Sequence, residues 1–235
     1  MTAQEIIDEI RPLGSSSYKR VMFKYGVEEP FFGVKISDLQ KIVKRIKRDY
    51  QLALDLYDTG IYDAMYLAGL IADDAKMTQK NLKHWLAKAY CYPLCGWTVP
   101  WVAAGSAHGW TMAMDWIDSA KPLTAVTGWG TLGSIVSVAN DAELEIDTLK
   151  KLLGRVQKSI HSQPDHVRYQ MNAFVIGVGS YVQSLTNAAI ETGKKIGPVT
   201  ADLGDNNCQV PFAPDYIENV RSKGKIGKKR KTAKC

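Results

Sequence analysis

The stretch DLYDTGIYDAMYLAGLIAD, residues 55–73, predicts a helix, a tight turn and a second, strongly apolar helix. Gly60 follows Asp58 and Thr59, and glycine commonly ends a helix because it adopts a left-handed conformation without steric strain. After the turn, small and apolar residues recur at spacings of three and four, which places them on one helical face. These residues are Ala64, Leu67, Ala68, Ile71 and Ala72. A helix pair of this kind cannot bury its apolar surface alone, so it is typical of one unit in a stack.

Similar helical patterns recur along the rest of the chain, in pairs about every 30 to 36 residues, within the range of helical repeats. Thr78 is predicted to cap the next helix and Pro93 to end it. Further helical segments are expected near residues 98–107, 110–120, 123–139, 144–160, 167–182 and 188–196, followed by a loop over 197–213. Because strand-like alternation is scarce, the sequence predicts an all-α solenoid of stacked helix pairs with a concave surface. We expect one domain over residues 1–220 and a basic tail over 221–235.

The first 50 residues are predicted to hold shorter helices. Thr2 and Glu5 have the spacing of a capping box, which favours a helix start. After a loop containing Pro30, Ser37 is a candidate N-cap for a helix that is apolar on one face and basic over the remainder.

Composition indicates a globular protein with a sizeable core, since 46% of the residues are hydrophobic and 23% are charged. No segment reaches the roughly 18 to 20 consecutive apolar residues that a membrane span requires. The N-terminus lacks the features of a signal peptide. We therefore expect a cytoplasmic location and no membrane partner. The four cysteines are few for this length and need not pair.

Charge is distributed unevenly along the chain. The overall formal charge is +6, yet residues 221–235 alone carry eight basic residues and no acid, and residues 18–48 carry nine basic and three acidic residues. Basic ends that flank an acidic middle predict a polyanionic partner. A solvated helix face and a mobile tail remain the alternative interpretation.

Two apparent cofactor or metal motifs are weak. Gly128, Gly130 and Gly133 form G-x-G-x-x-G, but no strand-helix series surrounds them, and helix packing is the simpler use of these glycines. Cys91, Cys95 and His84 suggest a zinc site, but Pro93 interrupts the helix and no fourth ligand is evident. No cofactor and no metal are predicted.

All six tryptophans lie between Trp85 and Trp129. Core filling is the expected use of most of them, whereas Trp97 and Trp101 border a glycine and a proline and could line a groove. Aromatic rings beside cations can stack on nucleic-acid bases.

The segment Phe31-Phe32-Gly33-Val34-Lys35, the basic helix after it, and the stretch from Leu56 to Ala68 together resemble the AlkD-like DNA alkylation repair family. The resemblance covers roughly residues 20–200. It implies a superhelix of HEAT-like repeats whose concave basic face holds duplex DNA. Active members are glycosylases that release 3-methyl- and 7-methylpurines without flipping the base, and other members bind damaged or branched DNA without excision.

The catalytic motif of the active members does not carry over. They have a Trp-Asp-x-x-Asp stretch whose second carboxylate stabilises charge developing on the sugar. Here residues 92–96 read Tyr-Pro-Leu-Cys-Gly, so Gly96 stands at the carboxylate position, and an alignment shifted to residues 97–101 also lacks an acid. The family's phosphate-binding arginine would fall near Gly128 or Trp129, and a groove-lining tryptophan near Phe174 or Ile176. The catalytic residues are therefore unknown.

These observations predict a DNA-binding protein, without cofactor and monomeric, that recognises damaged or branched DNA by charge and shape and does not excise bases. An active alkylpurine glycosylase using Asp115 or Asp118 is the first alternative. A repeat scaffold for an acidic protein or RNA is the second. The candidate DNA-binding residues are Lys35, Lys41, Lys44, Arg45, Tyr92, Trp97, Trp101, Lys225, Lys228, Lys229, Arg230 and Lys231.

Overall fold

The chain folds into helices that pack in two rows. The computed structural model describes residues 1–204 and 209–234, in which a single bridge between Gly14 and Val34 is the only β-type pairing. Within these residues the helices are α1 (Ala3–Ile10), α2 (Ser16–Phe23), α3 (Ile36–Ile46), α4 (Tyr50–Asp58), α5 (Tyr62–Ile71), α6 (Gln79–Lys88), α7 (Val99–Ala104), α8 (Gly109–Trp116), α9 (Pro122–Val138), α10 (Ile146–Ser159), α11 (Asp165–Tyr181), α12 (Thr186–Ile196) and α13 (Ala213–Ser222).

The helix pair predicted around Gly60 is confirmed. Gly60 has a φ of +73° in the turn between α4 and α5, a conformation that glycine adopts without strain. All ten residues of α5 are buried. Tyr57 of α4 stacks on Trp85 of α6, with ring centroids 4.0 Å apart, so this pair is joined directly to the next unit.

A buried carboxylate connects this unit to the loop before α3. Asp63 is 1% exposed, and its two oxygens accept hydrogen bonds from the backbone N–H groups of Phe32, at 2.6 Å, and Val34, at 2.7 Å. Burial raises the pKa of Asp63, while these N–H donors oppose the shift. Asp63 is therefore the residue that brings together the two sequence stretches on which the family resemblance rests.

The inner row of the solenoid consists of α5, α7, α9 and α11, which pack on one another in succession, and α4, α6, α8, α10 and α12 lie outside it. The glycines of G-x-G-x-x-G lie inside α9 and not in a phosphate-binding loop. A Cβ atom at Gly128 would lie 2.6 Å from the backbone nitrogen of Ile117, and one at Gly130 would lie 3.0 Å from the carbonyl oxygen of Gly96. These glycines allow neighbouring helices to approach closely.

Several local predictions are confirmed and others are wrong. The capping boxes at Thr2 and Thr78 are both present. Ser37 is not the N-cap of α3, because the helix begins at Ile36, two residues earlier than predicted, and Lys35 occupies the cap position without a side-chain bond. Pro93 does not end α6, which stops at Lys88; it lies at the start of a π-helical turn, Leu94–Thr98, that leads directly into α7. Proline is tolerated there because the first N–H groups of a helix have no intrahelical partner.

The sequence reasoning missed α13. The loop expected over residues 197–213 leads into this helix, although residues 205–208 lie outside the described part of the chain.

In the described residues no single helix is long and apolar enough to cross a membrane; α11 and α12 reach that criterion only as a pair, and they are bent by 113°.

Candidate nucleic-acid interface

A groove opens between the inner helices and the C-terminal segment. Its volume is about 440 Å³, and its walls come from α7 with the turn before it, α9, α11, α13 and the chain beyond residue 222. Small residues of α9, such as Gly133 and Ser134, form its floor beside the larger side chains of α11. The cavity is therefore built from segments that are far apart in sequence.

The C-terminal residues 223–234, here called the strap, follow the ends of three inner helices. The N–H of Gly227 donates to the carbonyl of Ser180 in the last turn of α11, at 2.9 Å, and the N–H of Arg230 donates to that of Ser137 in α9, at 2.8 Å. The side chain of Lys234 donates to the carbonyl of Ala72 at the end of α5, at 2.8 Å. Since helix C-termini carry partial negative charge and unpaired carbonyls, a basic segment stabilises them.

Two ion pairs fasten the strap as well. Lys229 lies 2.8 Å from a carboxylate oxygen of Asp141 and also donates to the carbonyl of Val136. Lys234 lies 2.7 Å from Asp74. Burial raises the pKa of Asp74 and lowers the pKa of Lys234, and in each case the partner's charge opposes the shift. The tail is therefore packed against the repeats and is not a free extension.

The remaining strap cations give the groove a positive charge. Lys225, Lys228 and Arg230 line the cavity and are exposed. None of the described residues that line it carries a carboxylate. Lys231 is exposed but does not line the groove. Of the five strap residues predicted to bind DNA, three thus face the groove. Lys229 is held in its ion pair with Asp141, and Lys231 lies outside the groove.

Two of the three predicted aromatic residues lie at the groove wall, and the third is buried next to Trp97. Trp97 and Trp101 both line the cavity, although Trp101 is only 6% exposed. Tyr92 is buried behind them, makes an edge contact with Trp97 and stacks on His166 with ring centroids 4.4 Å apart. Phe174 and Ile176 also line the cavity, and the resemblance places the family's groove-lining tryptophan near one or the other.

The position of the missing carboxylate is occupied by a neighbouring side chain. Gln170 of α11 donates from Nε2 to the hydroxyl of Tyr92, at 3.0 Å, and to the carbonyl of Gly96, at 3.2 Å. A Cβ atom at residue 96 would lie 3.0 Å from Gln170 Nε2 and 3.0 Å from the Tyr92 ring. Sequence reasoning found Gly96 but not Gln170, because no local pattern relates residues 74 positions apart.

The lysine and arginine residues predicted to contact DNA at and before α3 differ in whether they already have an ion-pair partner. Arg45 pairs with Glu9 at 2.5 Å, and Lys41 pairs with Asp38 at 2.7 Å. Lys35 and Lys44 are exposed, and among the described residues neither has an ion-pair partner. These two cations are the most available for a phosphate.

The C-terminal part of α3 meets the end of the strap. A second cavity, of about 260 Å³, is lined by Lys47 and Arg48 just after α3, by Thr232 and Lys234 of the strap, and by Asp74, which pairs with Lys234. Two basic clusters that are separated by most of the sequence therefore adjoin in space.

The alternative catalytic acids lie elsewhere. Asp115 and Asp118 are both exposed and do not line the groove, and Asp118 pairs with Arg155 of α10 at 2.6 Å.

Burial raises the pKa of Cys91 and of Cys95 to about 12, so both thiols stay protonated near neutral pH. Among the described residues, no cluster of three His, Cys, Asp or Glu side chains could hold a metal ion.

Several groove residues were not identified from the sequence. Tyr169, Tyr181 and Tyr216 contribute aromatic surface, and Ser180 is 3% exposed with no hydrogen-bond partner for its hydroxyl. Tyr169, Ala173, Phe174, Ile176, Gly177, Ser180 and Tyr181 recur at helical spacing on α11, and this periodicity was the available signal.

The fold and groove define a HEAT-like helical-repeat protein with a basic, aromatic cleft. The sequence profile described as DNA alkylation repair enzyme matches residues 6–201, and the chain belongs to this family. A solved structure matches with a TM-score of 0.92 and 30% identity, covering 100% of both chains; it is described as a new family of proteins related to the HEAT-like repeat DNA glycosylases with affinity for branched DNA structures.

Two uncharacterized proteins of Listeria are also similar over nearly their whole length. The protein of Listeria innocua is 28% identical and covers 95% of this chain and 99% of its own. That of Listeria monocytogenes is 27% identical and covers 96% of this chain and 100% of its own.

Proposed function

We propose that this protein binds branched DNA through the groove and the basic rim formed by the strap and α3, and that it does not excise bases. The observation that carries the proposal is a groove with three strap cations, several aromatic rings and no carboxylate among its described lining residues. Cations neutralise phosphates irrespective of base sequence. The solved relative's described affinity for branched DNA supports the choice of ligand.

The same wall of the groove lacks the group that base excision requires. A glycosylase needs a preorganised negative group beside the sugar, and loss of such an electrostatic group reduces a rate by about 10²–10³. At the corresponding position stands Gly96, whose surroundings are filled by Gln170 and Tyr92. Asp115 and Asp118 do not face the groove and do not replace it.

The test measures binding and base release on the same samples. We would compare a plain duplex, a duplex containing 7-methylguanine and a fully paired three-way junction, at several salt concentrations and with RNA and heparin as competitors. We expect tight, salt-sensitive binding that is strongest for the junction, and base release at the spontaneous rate. Release above that rate would establish a glycosylase, and equal competition by RNA or heparin would indicate a general polyanion-binding scaffold.

A further inference from the structure

The groove has the dimensions of a small-ligand site. Its volume of about 440 Å³ lies within the range of about 300–1,000 Å³ that ligand pockets occupy. A DNA duplex cannot enter a cavity of this size, but a single nucleotide can. The strap closes one side of the cavity, so the space is a pocket set into the broader DNA-binding face.

The pocket combines flat apolar surfaces with unused polar groups. Trp97, on the turn before α7, and Tyr216, on α13, offer ring surfaces from two different segments of the wall. Ser180 is buried in the wall, and its hydroxyl has no hydrogen-bond partner among the described residues. A buried polar group without a partner is unfavourable unless a ligand or water satisfies it.

The mouth of the pocket is cationic. Lys225 and Lys228 lie on the strap beside the aromatic walls, and Arg230 lies further along it. Aromatic rings in a positively charged groove are the arrangement that binds single-stranded nucleic acid, since bases stack on the rings while the cations neutralise the backbone.

We propose that this pocket holds one unpaired nucleotide of the DNA, with its base against Trp97 and Tyr216 and its phosphate near Lys225 and Lys228. The inference rests on the proposed function and specifies which feature of branched DNA is recognised. Base pairs at a branch point lack a stacked neighbour on one side, so they open to unpaired nucleotides more readily than pairs inside a continuous duplex. The nucleotide is already unstacked, so the protein does not have to flip it.

The experiment uses the full-length protein and two three-way junctions that differ only at the branch point. One junction is fully paired, and the other carries two unpaired nucleotides, one of them 2-aminopurine, whose fluorescence is quenched when it stacks. Since stacking of a base contributes about 1 kcal/mol or more, we expect the unpaired junction to bind about fivefold or more tightly. Binding should quench the 2-aminopurine.

Tyr216→Ala provides the decisive variant, because the side chain is 47% exposed and its loss leaves the core intact. It should bring the affinity ratio of the two junctions close to one and abolish quenching, because it weakens binding of the unpaired junction more than binding of the paired one. Phe23→Ala is the matched control, since Phe23 is 48% exposed and does not line the groove; it should keep the ratio.

Three outcomes would count against these ideas in different ways. Equal affinity of the wild-type protein for both junctions, without quenching, would overturn the nucleotide pocket and leave the proposed function intact. No binding of either junction would overturn the proposed function itself. A ratio unaffected by Tyr216→Ala would show that the base does not stack there and would overturn the assignment of the pocket.

Discussion

Gly96 lies where the active glycosylases of the family have an acid. The side chains packed around it determine what an acid at this position would meet. The residue is buried between the Tyr92 ring and Gln170, and both contact distances for an added Cβ atom are 3.0 Å. A larger side chain at this position would therefore have to displace neighbours on two different helical segments.

Gly96→Asp should lower the stability of the protein and should not restore base release. Overpacking destabilises by about 1–3 kcal/mol, and each kcal/mol shifts the melting temperature of a chain of this size by about 2–4 °C. Thermal unfolding and a 7-methylguanine release assay measure both effects. Gly154→Asp is the control, because a Cβ atom there meets nothing within 4 Å. A stable, base-releasing Gly96→Asp would contradict this interpretation.

His166 should make stability depend on pH. Burial lowers its pKa below 6.5, against the opposing effects of Asp165 and Asp202. The neutral ring is favoured in the folded state, so its contribution is complete above pH 6.5 and decreases as the pH falls from there through the lower folded-state pKa. His166→Phe should reduce the loss of melting temperature between pH 7.5 and pH 5. An identical loss in both proteins would assign the acid sensitivity to other groups.

The strap carries two kinds of exposed cation: some line the groove and others do not. Lys225 and Lys228 line the groove, whereas Lys223 and Lys231 are equally exposed but do not. All four belong to one basic segment, so paired substitutions change the net charge equally. Any difference between the pairs therefore reports position and not total charge.

The double variant Lys225→Gln/Lys228→Gln should weaken junction binding and reduce the magnitude of the salt dependence of log K by up to about 1.8, since each phosphate contact contributes about 0.9. Lys223→Gln/Lys231→Gln should change both quantities much less. Fluorescence anisotropy over a salt series gives the slopes. Equal effects of the two pairs would mean that the strap acts only through its overall charge.

On the scale of the whole molecule, the strap joins units that a solenoid otherwise leaves independent. Repeat proteins are held together by contacts between neighbouring repeats. Here Lys234 reaches Ala72, 162 residues away, so the C-terminal segment is bonded to the N-terminal units. We therefore expect the C-terminal segment and the N-terminal units to stabilise each other.

Truncation after Ser222 should increase amide hydrogen exchange at the C-terminal ends of α5, α9 and α11 and lower the melting temperature. Each lost hydrogen bond contributes about 0.5–1.5 kcal/mol. Hydrogen exchange measured by mass spectrometry, with α6 as an internal reference, would locate the effect. Unchanged exchange in α5 would show that the anchor at Lys234 does not stabilise the N-terminal units. DNA binding should also weaken, because the groove loses Lys225, Lys228 and Arg230.

Much of the fold could be predicted because it depends on local patterns. The apolar spacing after Gly60, the capping box at Thr2 and the helix cap at Thr78 act within a few residues, and all three are confirmed. The start of α3 and the role of Pro93 were wrong, because tertiary packing moved helix ends by a few residues. The cytoplasmic location and the monomeric state remain predictions.

The sequence alone determined an all-helical repeat protein with basic ends and without the acid of the glycosylase motif. Periodicity, capping and composition are local properties, so they can be read along the chain. Only the tertiary structure decided that the tail closes a groove, that Gln170 occupies the space beside Gly96, and that Arg48 and Lys234 share a cavity. These arrangements depend on residues far apart in sequence, such as Gly96 and Gln170, 74 residues apart, and Ala72 and Lys234, 162 residues apart, which meet only when the repeats stack.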